Sequence, residues 1–358
     1  MNSVLGRYLM QMLLKRTVGV VLVLTGLLSI VDLFDTTTEV LHRGLGLAGL
    51  LHYEALRVPG MIQQILPVSV LIAGLMTFTG LARNSEMAAL RSTGITIYRI
   101  LGMMMPAAVL MVVVHFFLAD QISPRTERAL TTWWKSTAPA EEMAKPKPRK
   151  VWFRTPRYLV YAEGASPDGR HIDRLRIYRR DPQGRLAERI VADRAALGDD
   201  GQWRLQNATL LDVLPTDTRS TTTREVIWRT QLAPADVVAV FSPENSISSA
   251  RALRAVTGER PAGKSPAFYS TRVQRALAEP LGVLVMLLLA SPAALAHQRN
   301  NQTILLLFSL GAGLLFLMVD GVLTALGQTN VLPPLLGAWA GPALFAALAG
   351  AALVHLEG

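Results

Sequence analysis

The 358-residue sequence contains no cysteine, which excludes disulfides and thiolate metal sites and leaves no redox signature of a compartment. The common catalytic constellations are missing too. Neither H-E-x-x-H nor G-x-S-x-G occurs, and the six histidines (His42, His52, His115, His171, His297, His355) are scattered without ligand spacing. There is no sign of a cleavable leader. Arg7, Lys15 and Arg16 precede a long apolar run with no small-residue cleavage site behind it, so the N-terminus reads as a retained anchor. Nor does the net charge of +10 signal nucleic acid. Residues 120–271 hold 25 Lys/Arg against 18 Asp/Glu, a surplus of 7 with the signs intermixed, which is the pattern of a solvated surface.

What the chain has in excess is apolar sequence, 51% of it, gathered into two blocks on either side of that charged stretch. The pattern predicts an integral membrane protein carrying a soluble domain. Six segments are long enough to span: Thr17 to Phe34, Gly60 to Leu81, Ile100 to Ala119, Leu277 to Ala296, Thr303 to Leu326 and Leu335 to Leu356. Arg7, Lys15, Arg16, Arg83, Arg91, Arg99 and Arg299 fall on one side of them. The opposite short loops offer Arg43 and Arg57, beside Glu39 and Glu54. The positive-inside rule then puts both termini in the cytoplasm and the insert outside, in the periplasm of a Gram-negative cell.

A short polar interruption, Leu81 to Gly94, lies between the second and third spans. It reads as a small helix with Asn84 or Ser85 as N-cap, Glu86 in the first turn where the helix dipole favours an acid, Arg91 near the far end and Gly94 as a left-handed stop. Met87, Leu90 and Arg91 share one face. Such a helix is either an interfacial loop or a docking element for a cytoplasmic partner.

The insert opens with a helical connector, Ser123 to Ser136, and the extended linker Lys145-Pro146-Lys147-Pro148-Arg149-Lys150. Alternating strands follow at Tyr158 to Glu163, Leu175 to Arg180, Glu188 to Leu197, Trp203 to Val213 and Thr222 to Leu232. Turns separate them at Pro167-Asp168-Gly169, Pro182-Gln183-Gly184 and Asp199-Asp200-Gly201. The spacing predicts an antiparallel sandwich or jelly roll, with a short helix from Ser246 to Thr257 leading back to the membrane.

Gly258 to Ser265 fits the phosphate-loop pattern G-x-x-x-x-G-K-[ST]. That mechanism needs a buried strand before the loop and a helix N-terminus after it. Here a helical segment precedes, Pro261 sits inside and Pro266 follows, so Lys264 is read as a surface residue. Any ATP hydrolysis then belongs to another chain.

Three acids stand in or near hydrocarbon: Asp32 and Glu279 towards outer ends of spans, and Asp320 in the fifth. Such positions are functional candidates because they are expensive there. Arg275, one turn before Glu279, can pair with it. Arg272 and Arg275 together form a basic step that either snorkels to headgroups or meets the phosphates of a lipid substrate. Pro280 suggests a kink at the same level.

Taken together, Arg7-Tyr8-Leu9, the run from Val58-Pro59 to Pro67, Arg83-Asn84-Ser85-Glu86 through Gly94, and Glu279-Pro280 resemble the lipopolysaccharide-export permeases of the LptF/LptG family. The resemblance covers the whole length. Val319-Asp320 to Pro333-Pro334, and Ser242-Pro243 with Ser246-Ile247-Ser248, look more like the LptG member. It implies an α-helical membrane protein of six spans, three plus three: residues 1–119, with a coupling helix at 84–93, and 272–358. Residues 120–271 would form the periplasmic jelly roll. It further implies an LptF-like partner permease, an LptB-like ATPase dimer, an LptC/LptA-like periplasmic bridge and lipopolysaccharide as cargo, with no catalysis and no cofactor on this chain. Glu86 falls on the acid that contacts the ATPase, with Arg83, Met87, Leu90 and Arg91 around it. Arg272, Arg275, Asp32, Glu279 and Asp320 are the candidates for substrate contact. Some relatives carry basic residues at the outer end of the first span, where this sequence has Asp32 and Asp35. The alternatives are an ABC permease for another lipid or lipoprotein, and a membrane-anchored receptor or scaffold. A scaffold needs neither a capped cytoplasmic helix nor acids in its spans.

Overall fold

The computed structural model describes residues 2–357 apart from 140–149, 156, 167, 182, 184, 214–217, 242–246, 260 and 296–301. The expected linker up to Arg149, parts of the turns at Pro167 and Pro182-Gly184, the Ser242-Pro243 and Ser246 matches, and Arg299 lie outside the described residues. The chain forms two compact units, residues 1–139 with 271–358, and residues 140–270.

The first unit is helical. α1 (Asn2–His42) and α2 (Gly46–Arg83) are followed by the short α3 (Glu86–Ser92) and by α4 (Ile97–Phe117). α4 runs through a π-helical turn, Leu118–Ile122, straight into α5 (Ser123–Ser136). The connector expected at the start of the insert is therefore a continuation of the third span, a rod of 40 residues. Its amphipathic end lies on α2 and on the turn after α1: Trp133 packs on His52 at 4.9 Å, and the Arg43 guanidinium sits 4.1 Å over Trp134. The second helical block comprises α8 (Pro266–Ala290), ending in a 3-10 turn Ser291–Leu295, then α9 (Gln302–Gln328) and α10 (Pro334–Glu357). Between the blocks, in the second unit, lie α6 (Pro234–Phe241) and α7 (Ser249–Val256).

Six helices are long and apolar enough to cross a membrane. Their burial differs. The most apolar window is 67% buried in α2 and in α8, but 6% in α1 and 22% in α9. α2 and α8 are thus central, while α1 and α9 keep apolar side chains such as Leu27, Phe34, Phe308 and Leu314 on the outside, as surfaces made for lipid or for another apolar chain. One core runs through the unit, from Leu9 and Leu13 through Phe78, Met87 and Ile100 to Met286, Phe316 and Phe345.

The second unit is a single antiparallel sheet. β1 (Val151–Arg154), β2 (Tyr158–Ala162), β4 (His171–Arg180), β5 (Leu186–Leu197), β6 (Trp203–Val213) and β7 (Thr218–Trp228) pair in chain order, and β3 (Gly164–Ala165) pairs with β4. Burial alternates on either side of a phase break: Ile172 before and Leu175 and Ile177 after Arg174, and Leu205 before and Ala208 after Asn207, are buried, because both intervening residues are left-handed (φ 48° and 51°) and restore the alternation to the same core. The sheet is curled. Tyr158 at the start of β2 meets Trp228 at the end of β7, ring centroids 6.1 Å apart, although three strands separate them in the hydrogen-bonded order. Trp203, 1% exposed, fills the roll and donates its indole N–H to the Leu232 carbonyl at 2.8 Å. The expected strands appear within a few residues. β1 and β3 are additions, too short to carry a visible alternation, and so is α6, opened by Pro234 at its first position.

Candidate functional site

α3 is positioned by its two ends and one face. The chain leaves α2 through Asn84 and turns at Ser85, which adopts a left-handed conformation, φ 57°. The expected side-chain N-cap does not form: Ser85 makes no capping bond, because the reversal between the helices takes its backbone out of the extended geometry a cap requires. Asn84 instead donates its amide to Glu86 Oε1 at 3.4 Å, and the Tyr8 hydroxyl of α1 donates to Glu86 Oε2 at 3.2 Å. At the other end Gly94, φ 79°, donates to the Arg91 carbonyl (2.9 Å) and Ile95 to that of Leu90 (3.1 Å), the paired bonds of a Schellman stop. Met87 is 3% exposed in the helical core, Leu90 packs half-buried against it, Arg91 is half-buried and Arg83 is exposed. Seven residues are thereby fastened to α1, α2 and α4, with the Glu86 carboxylate at the rim.

A second cluster lies among α2, α8 and α9. Arg275 Nη1 is 2.5 Å from Asp320 Oδ2 and its Nε 3.8 Å from Glu279 Oε2. Arg272 Nη1 stands 3.4 Å from the same Glu279 oxygen, and Gln63 Nε2 donates to Glu279 Oε1 at 3.1 Å. Two guanidiniums and two carboxylates make the cluster neutral. Charges taken out of water persist when they are paired and hydrogen-bonded, and these are: the Arg275 and Asp320 side chains are 14% and 12% exposed. Gly341 of α10 completes the enclosure, since a Cβ there would lie 2.5 Å from Asp320 Oδ1. Trp339 of α10 donates to Gln274 Oε1 of α8 at 3.1 Å. His115 of α4 is 1% exposed, and its Nδ1 has no hydrogen-bond partner among the described residues.

The structure therefore brings together four of the residues singled out in the sequence, Arg272, Arg275, Glu279 and Asp320, and leaves the fifth elsewhere. Asp32 on α1 faces Arg57 of α2, with Nε–Oδ1 3.6 Å. Arg275 makes its short contact with Asp320, not with the helical neighbour Glu279. Sequence spacing finds pairs one turn apart on one helix, whereas this partner comes from another. Gln63, His115, Tyr8, Trp339 and Gly341 were missed. The available signal was polarity inside apolar runs, which Gln63 and His115 display.

The phosphate-loop look-alike has no cradle. α7 precedes it, Ala262 bridges to Arg154 in both directions at 2.9 Å, and Lys264 Nζ lies 4.0 Å over the Phe268 ring. Ser265 Oγ accepts the Phe268 N–H at 3.1 Å, opening α8.

Comparison with known proteins adds the following. Residues 7–355 match the family model described as lipopolysaccharide export system permease LptF/LptG. The chain is 23% identical over 351 residues to the lipopolysaccharide export system permease protein LptG of Haemophilus influenzae, covering 97% of this chain and 95% of the relative. It is 22% identical over 342 residues to LptG of Escherichia coli, covering 94% of each.

Proposed function

We propose, from the premise that this chain belongs to the LptF/LptG family of lipopolysaccharide export system permeases, that it is the LptG-type subunit of a multi-component exporter. As a multi-pass inner-membrane protein it would extract lipopolysaccharide from that membrane and pass it to a periplasmic bridge. Its companions in this reading are an LptF-like permease, an LptB-like ATPase dimer and an LptC/LptA-like bridge. Both termini and α3 face the cytoplasm, and the β unit faces the periplasm. The observation that carries the reading is the extent of the match, residues 7–355, which takes in both helical blocks and the insert between them.

The mechanism follows from how α3 is held. ATP is hydrolysed on the partner chain, so this subunit must receive motion and convey it. A coupling element conveys motion only if it is stiffer than the joint it drives. Met87 and Leu90 seat α3 in the core, and Tyr8 fixes Glu86, so a displacement of α3 is a displacement of α1, α2 and α4. The Gln63–Glu279–Arg275–Asp320 chain ties α2 to α8 and α9, so the two helical blocks move as one body. Arg272 and Arg275 are assigned to the lipid headgroup, with Glu279 and Asp320 as the acids that hold them and Asp32, paired with Arg57 away from them, as a separate candidate contact. Arg272, whose contact with Glu279 (3.4 Å) is longer than that of Arg275 with Asp320 (2.5 Å), is assigned the phosphate.

The test is recovery of the ATPase with the purified complex. Glu86→Ala and Glu86→Lys are expected to lose ATPase binding and turnover while Arg83→Ala keeps both, because Glu86 is the acid that meets a cation on the soluble partner. Unchanged recovery and turnover in both Glu86 variants would sink the coupling role.

A further inference from the structure

We propose that the seam where the curled sheet closes on itself is a binding site for a phosphoryl group. The seam is made by two stretches distant in sequence: the turn between β1 and β2, and the chain just after β7. It holds a cavity of about 410 Å³ lined by Thr155, Arg157, Tyr158, Arg229, Thr230 and Gln231.

Three observations point to an anion. Among the described residues no acid lines the cavity, whereas two guanidiniums do. Five arginines elsewhere in this unit are matched to a carboxylate: Arg170 to Asp199, Arg174 to Glu163, Arg179 to Glu188, Arg194 to Asp173, Arg204 to Asp200. Arg157 and Arg229 have no ion pair among the described residues. The backbone that carries them is held in place. Thr155 Oγ1 accepts the Tyr158 N–H at 3.1 Å and holds the turn that carries Arg157, while the Tyr158–Trp228 ring contact brings the neighbours of both arginines together. Forked guanidiniums flanked by hydroxyl and amide donors suit a phosphate monoester, which accepts bidentate bonds on several oxygens. Phosphate esters on a glycolipid headgroup and free phosphate share this chemistry. The first source rests on the export function proposed above.

The test uses the full-length chain in its transporter complex, reconstituted in nanodiscs. A photo-crosslinking residue at Thr230 is challenged with bisphosphorylated lipid A and with its dephosphorylated form. Inorganic phosphate is followed separately by phosphorus NMR line broadening. Crosslinking that depends on the phosphates, falls about tenfold in R157E/R229E and falls less in R157K/R229K, which keeps the charge and loses the fork, is the expected result. No lipid crosslink, but phosphate broadening that R157E/R229E abolishes, would uphold the site and assign it to free phosphate. Equal crosslinking of both lipids, or insensitivity of both probes to charge reversal, would overturn it. Stimulation of ATPase activity by lipopolysaccharide is read in the same preparations. Its presence beside a negative result leaves the export function standing, and its absence in the parent complex counts against that function without touching the phosphate measurement.

Discussion

Arg275 and Asp320 form the pair whose disruption has the most definite expected cost. Removing one member strands a charge with little access to water, a loss of about 3 kcal/mol or more, whereas removing both leaves no uncompensated charge. Arg275→Ala and Asp320→Ala should each lower the thermal midpoint of the detergent-solubilised chain, and the double variant should recover most of the loss. Additive losses would show that the two do not act as a pair. The same reasoning bears on the substrate. Lipopolysaccharide should crosslink more strongly from position 272 than from 275, since Arg275 is held at 2.5 Å by Asp320 and Arg272 at 3.4 Å by Glu279. Crosslinks from exposed α1 positions but from neither arginine would make the cluster a helix tie alone. At Glu86, Tyr8→Phe removes a hydrogen bond to a charged group and leaves the acid in place. ATPase coupling should therefore fall only partly, well short of Glu86→Ala.

At the level of elements, α3 is set by its stop as much as by its face. Gly94 has φ 79° with open space around its Cα, so a substitution there tests backbone conformation and nothing else. Gly94→Val should cost about 1–2 kcal/mol and loosen α3, while Gly94→Asn, which tolerates the left-handed region, should cost less. Hydrogen exchange at the Leu90–Ile95 amides would distinguish them, and equal protection in both variants would discount the Schellman bonds. In the sheet, Trp203 fills the centre of the roll and holds Leu232 through its indole. Trp203→Ala should cost about 3–5 kcal/mol by cavity formation, read as loss of protease resistance in the β unit. The helix at Ser123–Ser136 was legible to the residue, because Pro124 near its start and a strong amphipathic pattern mark it. Its continuity with α4 was not, since Pro124 reads as the start of a separate helix whereas the chain passes through the π-turn Leu118–Ile122 without a break.

For the whole molecule, the absence of cysteine makes orientation directly measurable. A single cysteine at Ala89 should be labelled by a membrane-impermeant maleimide only after the inner membrane is opened. One at Thr222, on the exposed β7, should be labelled once the outer membrane is permeable. The reverse pattern would invert the topology proposed above. Sequence alone determined the six spans, the strand-rich insert, the Gly94 stop and the family, because these depend on local quantities: run length, period and turn chemistry. It also exposed Asp32, Glu279 and Asp320 as costly residues, since a charge in an apolar run is visible without coordinates. Tertiary structure decided who meets whom. Asp320 finds Arg275, Glu279 finds Gln63, Tyr8 finds Glu86, and Arg157 and Arg229 come to one seam. The physical reason is that partnership between elements is set by helix packing and sheet curl, which sum weak contacts over the whole chain and leave no spacing in the sequence to read.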